Sequence, residues 1–340
     1  MKPAFLSLTH DEAREWVRTR GEAPTHAGAL RRALLHGADP TQTPNVPRRL
    51  IDALEAAFVW LESESIEQHD APDGSTKHLI RLGDGTLIET VHLPGSRGGA
   101  PSACLTSQVG CAMACRFCAS GLDKVTRNVA AHEYLEQLVH LRRRGDVQRL
   151  VFMGSGEPTQ NLRNLAAALP VLRDEARIGP KNTLVSTVGP AAAVDRLGEL
   201  GLRLTLALSL HASTPELRAA LIPTQRKETP AGLLDAADRY SAKVRRPYQV
   251  EYVLLRGVND RDDDAEKLAA LLEGRRAHLS LIRWNAVPGM PFETPLFADA
   301  QRFTQRLRDA GVSATLRETV GNEAAAACGQ LRSSRREART

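Results

Sequence analysis

The sequence is poor in aromatic residues, at 4% of 340 positions. That scarcity argues against a broad base-stacking platform of the kind single-strand binders use. No apolar run approaches the roughly 18 residues of a membrane span, so no membrane partner is expected. The opening MKPAFLSLTHDEAREW has no apolar stretch ending in small residues, so no secretory leader is read and a cytoplasmic location is expected. Charge of one sign is also lacking. Forty-five Lys and Arg against 40 Asp and Glu leave +5, which permits a nucleic-acid partner without demanding one. Long repeats and low-complexity blocks are absent, and 42% hydrophobic content excludes disorder throughout. Cysteine is scarce too, with only five residues.

Those five are unevenly placed. Cys104, Cys111, Cys115 and Cys118 fall within fifteen residues, and Cys328 stands far downstream. An odd, clustered set without a leader does not make a disulfide framework. One or two could be small buried hydrophobes, but that reading explains Cys-x3-Cys-x2-Cys poorly. Three thiolates can hold zinc or iron–sulfur. A structural zinc site wants a fourth Cys or His at comparable spacing, and no second Cys-x2-Cys appears. Three soft ligands in a tight loop suit an iron–sulfur cube with one iron left open.

The chain divides into an N-terminal helical region (1–70), a β-hairpin (71–95), an α/β core (96–331) and a basic tail (332–340). Ser7 or Thr9 could cap a first helix, and an apolar helix runs through Leu50, Leu54, Phe58 and Trp60. Gly83-Asp84-Gly85 reads as the hairpin turn between HLIRL and TLIETVHL. Beyond residue 100, short β-rich apolar runs near 150, 183, 202, 248, 278 and 312 alternate with helical segments. The first strand of the series is read at Leu105 to Val109, and six helices over 131–143, 161–173, 190–199, 229–241, 263–274 and 298–310 follow. Such alternation predicts parallel β with helical crossovers, either an open doubly wound sheet or a (β/α) barrel. Ligands then sit at the carboxyl ends of the strands, where the cysteine loop, Gly154–Pro158, Ser186, Ser209–His211 and Trp284–Asn285 fall. Taken singly, Ser186, Ser209 and Asn285 could be helix caps and His211 a structural histidine. Together they could receive the ribose and carboxylate of a nucleoside cofactor.

The sequence resembles the RlmN/Cfr family of radical S-adenosylmethionine (SAM) RNA methyltransferases, nearer RlmN. The likeness rests on CLTSQVGCAMACRFCASG (104–121), TRN (126–128), FMGSGEPTQN (152–161), VSTVG (185–189), SLHAS (209–213), GVND (257–260), RWNAVPG (283–289) and AACGQL (326–331), and spans about residues 73 to 331. It implies a partial (β/α)6 barrel. It implies a 4Fe–4S cluster on Cys111, Cys115 and Cys118, and SAM, two per turnover, on Gly156, Glu157, Ser186, Ser209, Leu210, His211 and Asn285. By the same resemblance Cys328 carries the methyl group as S-methylcysteine. Cys104 resolves the covalent intermediate through a transient disulfide with Cys328, and Glu89 accepts a proton. The implied reaction methylates carbon 2 of an adenosine in 23S rRNA, with tRNA as a further candidate substrate and flavodoxin or ferredoxin as electron donor to a monomeric enzyme. Carbon 8, another substrate on the same scaffold, and a non-catalytic iron–sulfur or zinc protein are the alternatives. The chain departs from the family pattern at Ser155 (usually Met), at Ala114, in ETVGNEAAAACGQL before the carrier, and before residue 70.

Overall fold

A computed structural model describes residues 2–95, 99–317 and 320–332. Of the basic tail it includes only Arg332; 333–340 lie outside the described residues.

Three helices open the chain: α1 (His10–Arg18), α2 (Thr25–Leu35) and α3 (Arg48–Ala57). Thr9 starts α1 with a capping box: its hydroxyl accepts the Glu12 amide at 3.2 Å and Glu12 accepts the Thr9 amide at 2.7 Å. The apolar helix ends at Ala57, short of its expected course through Trp60. Phe58 is extended and Val59 bridges to Ala4, which packs Phe58 and Trp60 around Phe5. The region then ends in a strand where helix was expected. β1 (Glu64–Asp70) reads ESIEQHD, a polar edge strand with no apolar alternation to betray it.

β2 (Thr76–Arg81) and β3 (Leu87–Leu93) form the expected hairpin, with Gly85 at φ 85° in its turn. β4 (Ser102–Cys104) pairs antiparallel with β3 and parallel with β7 (Arg149–Phe152), so the hairpin continues the main sheet. β4 is the first parallel strand, earlier than the expected Leu105–Val109. Leu105 still bonds Val151, but the Thr106 amide turns to the Gln137 side chain. β5 (Gln108–Val109) pairs apart with β6 (Arg127–Asn128).

After α4 (Ala131–Arg142) and β7 the alternation proceeds through α5 (Leu162–Asp174), β8 (Thr183–Thr187), α6 (Ala191–Glu199), β9 (Thr205–Ser209), α7 (Pro215–Leu221), α8 (Pro230–Val244), β10 (Tyr248–Leu254), α9 (Asp262–Leu272), β11 (Ala277–Arg283), α10 (Phe297–Asp309) and β12 (Ala314–Arg317). α7 was not expected; Thr214 caps it and Pro215 opens it. The parallel strands run β4-β7-β8-β9-β10-β11-β12, which is six βα crossovers and a closing strand. Every parallel strand thus delivers its carboxyl end to one rim.

Leu150, Phe152, Leu206, Leu208, Val250 and Leu279 form the main core between sheet and helices. Leu34 and Leu35 of α2 join it, and Arg31 reaches Glu175 beyond α5 at 2.6 Å, both side chains buried. The N-terminal helices are therefore packed onto the α/β body.

Candidate active site

The cysteine loop leaves β4 and returns along a second, smaller core of Met113, Phe117, Val253, Leu255 and Trp284. Three contacts fix it. The Trp284 indole donates to the Phe117 carbonyl (2.8 Å), Thr224 to the Met113 carbonyl (2.7 Å), and the Arg116 amide to Leu221 (3.0 Å). Gly121 allows the tight return, since a Cβ there would lie 2.7 Å from the Cys115 carbonyl. Cys111, Cys115 and Cys118 line one cavity of about 150 Å³. Burial pushes their thiols up, Cys111 to about 12. Thiols so placed ionise when a cation draws their protons off, which is the chemistry of a metal–thiolate site. Among the described residues, no three His, Cys, Asp or Glu side chains close on one point as ligands of a single ion do. Three cysteines lining one cavity are a donor set that fits an iron–sulfur cluster.

The rest of the cavity wall comes from neighbouring strand ends. Gly156 sits at φ 94°, and a Cβ would meet the Gln108 backbone at 2.5 Å, so only glycine permits this close approach. Buried Glu157 accepts from Thr159 (hydroxyl 2.7 Å, amide 3.1 Å) and from the Val188 amide (3.1 Å). Desolvation nevertheless raises its pKa. Ser186 and Ser209 share a hydrogen bond of 3.0 Å. His211, left-handed at φ 59°, accepts the Val253 amide on Nδ1 at 3.1 Å and packs edge-on to Phe117. Burial lowers its pKa to about 3, so the ring is neutral with its proton on Nε2. Leu210 is fully buried, and what it offers is its carbonyl, which accepts from Arg218.

Asn285 stands on the adjoining side of this rim. It lines a second cavity, about 370 Å³, and its amide donates to the Cys328 carbonyl at 2.9 Å. Cys328 lines both cavities, and Cys104 lines the second. The Cys328 sulfur is reachable through this space, although the protein packed around it raises its pKa. Burial raises buried Cys104 to about 12. The carrier loop is clipped on three sides: Gly321 N–H to Asp73 (2.6 Å), Ala119 N–H to Gly329 (2.7 Å) and Ser120 to Leu331 (2.6 Å). Glu89 pairs with Lys77 at 2.9 Å and accepts the Arg332 amide at 2.8 Å.

Two charged residues at this rim were not anticipated. Arg218 on α7 is fully buried, with its guanidinium on the carbonyls of Val188, Ser209 and Leu210, and burial pushes its pKa down to about 10. No pattern marks it, because α7 itself went unread. Glu251 is buried on β10, and a lone acid inside YQVEYVLL was the available signal.

The radical SAM superfamily model matches residues 105–269. A probable dual-specificity RNA methyltransferase RlmN of Rhodopirellula baltica is 40% identical, covering 99% of this chain and 92% of that protein. A probable RNA methyltransferase of Thiobacillus denitrificans is 37% identical over 94% and 89%. The crystal structure of a radical SAM methyltransferase from Sphaerobacter thermophilus superposes with a TM-score of 0.91, at 34% identity, covering 98% of this chain and all of that one. The likeness thus extends through the N-terminal helices, beyond the expected limit near residue 73. Fold, cysteine loop and full-length similarity agree: the chain belongs to the RlmN family of radical SAM RNA methyltransferases, enzymes that use a 4Fe–4S cluster and SAM.

Proposed function

We propose that this enzyme methylates carbon 2 of an adenosine in 23S rRNA, and also acts on tRNA, with the methyl group carried on Cys328. One observation carries the reading: Cys328 lines both the cavity of the three clustered cysteines and the neighbouring cavity that holds Cys104. The RlmN relatives are named dual-specificity RNA methyltransferases, which supports a second RNA substrate.

Carbon 2 of adenine is not nucleophilic, so direct displacement on a methyl sulfonium is unproductive there. A thiolate is nucleophilic. Cys328 takes the methyl by displacement and presents it to the base. When bound, the cluster and SAM supply one-electron chemistry that abstracts hydrogen from an unactivated carbon. Cys111, Cys115 and Cys118 hold the cluster in this reading; Gly156, Glu157, Ser186, Ser209, Leu210 and His211 hold SAM, two molecules per turnover. Asn285 belongs to the SAM set in this reading and also fixes the backbone of the carrier. Glu89 takes the proton from carbon 2 of the adduct, and Cys104, attacking as the thiolate, bonds to the Cys328 sulfur. The sulfur–carbon bond breaks with its electron pair going to the carbon on the base, which gains a proton and becomes the methyl group. An external donor such as flavodoxin or ferredoxin supplies the electrons, both for the one-electron chemistry and for reopening the disulfide to two thiols.

Mass spectrometry of rRNA and tRNA nucleosides from cells with and without the gene tests this. 2-Methyladenosine should disappear with the gene; loss of 8-methyladenosine instead would transfer the activity to carbon 8. Cys104→Ala should accumulate protein covalently joined to RNA, and the absence of any adduct refutes the carrier scheme.

A further inference from the structure

The register of the parallel strands sets four polar residues side by side. Glu251 of β10 faces Ser209 of β9 and Ser280 of β11, and Ser280 faces Thr315 of β12. Their strands are otherwise largely apolar. Ser209 and Glu251 line the cavity of the clustered cysteines; Ser280 and Thr315 line the second. Glu251 is 2% exposed, and no donor closes to hydrogen-bond distance on either carboxylate oxygen; the Ser280 hydroxyl and the Arg317 guanidinium are the polar groups standing nearest it. The nearest cationic nitrogen, Nη1 of Arg317, stands 3.6 Å from Oε2. A buried carboxylate without donors is costly unless a charge completes it. Arg317 supplies part of that charge, and the remaining face opens on the cavity.

A sulfonium has a fixed positive charge and no N–H or O–H to donate. Its complement is an anion whose oxygens are not already occupied by donors. We propose that Glu251 is that anion: its carboxylate faces the sulfonium of SAM and distinguishes SAM from the neutral thioether S-adenosylhomocysteine. The inference rests on the reading that this cavity binds SAM. Cys328, the methyl acceptor of that reading, lines the same cavity, so the counter-charge stands beside the transfer it serves. When the methyl leaves, sulfur becomes neutral, the attraction to Glu251 ends, and the spent cofactor is released ahead of the second SAM. Glu251 is a specificity determinant in this scheme, and Arg317 positions it.

Equilibrium binding of SAM and of S-adenosylhomocysteine to the cluster-loaded protein tests the assignment without RNA. Glu251→Gln, nearly isosteric, should weaken SAM at least tenfold and S-adenosylhomocysteine less than twofold, while Glu251→Asp retains part of the preference for SAM. Equal losses for both ligands, no loss for either, or identical behaviour of Gln and Asp would overturn it. The wild-type protein gives an independent reading. It should bind SAM and a SAM analogue with a protonated amine in place of the sulfonium at least tenfold more tightly than S-adenosylhomocysteine, and equal affinities refute the proposal. Nucleoside analysis fails separately, because it reads methyl transfer to RNA and these isotherms do not.

Discussion

Ala114 shows how much backbone strain a single residue in the cysteine loop can hold. It lies between the first two clustered cysteines at φ 51°, a left-handed conformation that costs an L-residue roughly 1 kcal/mol. Ala114→Gly should remove that strain and raise unfolding free energy by about 0.5–1 kcal/mol, measurable by chemical denaturation of the cluster-free chain. His211 adopts a similar backbone for a different return, because its conformation sets Nδ1 on the Val253 amide. Much of this site was legible residue by residue: the three clustered cysteines, Gly156, Glu157, Ser186, Ser209 and His211 line one cavity, as their strand-end positions predict. Asn285 and Glu89 were legible only as positions. Their partners, the Cys328 carbonyl and the Arg332 amide, are contributed by a loop more than forty and two hundred residues away, a distance over which local pattern carries no signal.

Among the elements, the carrier loop depends most on contacts outside itself. Among its described residues the one regular piece is a single 3-10 turn at Asn322–Ala324, and the loop is tied to the hairpin, the cysteine loop and the segment after β11. Asp73, in the loop between β1 and β2, holds Gly321, and Lys77 on β2 reaches the Ala325 carbonyl at 3.4 Å. Asp73→Ala removes a charged acceptor worth about 1.5–3 kcal/mol. Hydrogen exchange across 320–331 should quicken while the amides of β8 and β9 stay protected; unchanged exchange in the loop would mean the clip is not holding it. The hairpin was read correctly because Gly-Asp-Gly between alternating runs is a local signal. β1 was missed because an edge strand need not alternate, and β4 was placed late because its three residues, SAC, lack any β-rich run.

At the scale of the whole molecule, buried histidines set its behaviour toward acid. Burial lowers His78 and His140 to about 4 and His211 to about 3. Each is neutral when folded and takes up a proton near pH 6.5 when unfolded. Their contribution is therefore fully present above pH 6.5 and is lost as the pH falls toward 4, on the order of 2 kcal/mol each. His140→Gln should lose less stability across that window than the parent, measured as melting temperature against pH; parallel curves would contradict the sign. The overall architecture was legible because strand–helix alternation is a long-range regularity repeated six times. The ten-strand continuity was not, since it hinges on the three residues of β4. That continuity has a further consequence. A lone parallel array would end at β4 with a row of bare amides and carbonyls, open to any passing chain. Here the hairpin and β1 move that margin outward to a strand bearing Glu64, Glu67 and Asp70 and broken by a bulge at Ser65/Glu67. A second molecule approaching this margin edge-on meets repulsion and a mismatched ladder, so on this side the strands that frame the chemistry are shielded from amyloid-like stacking by a largely polar strand.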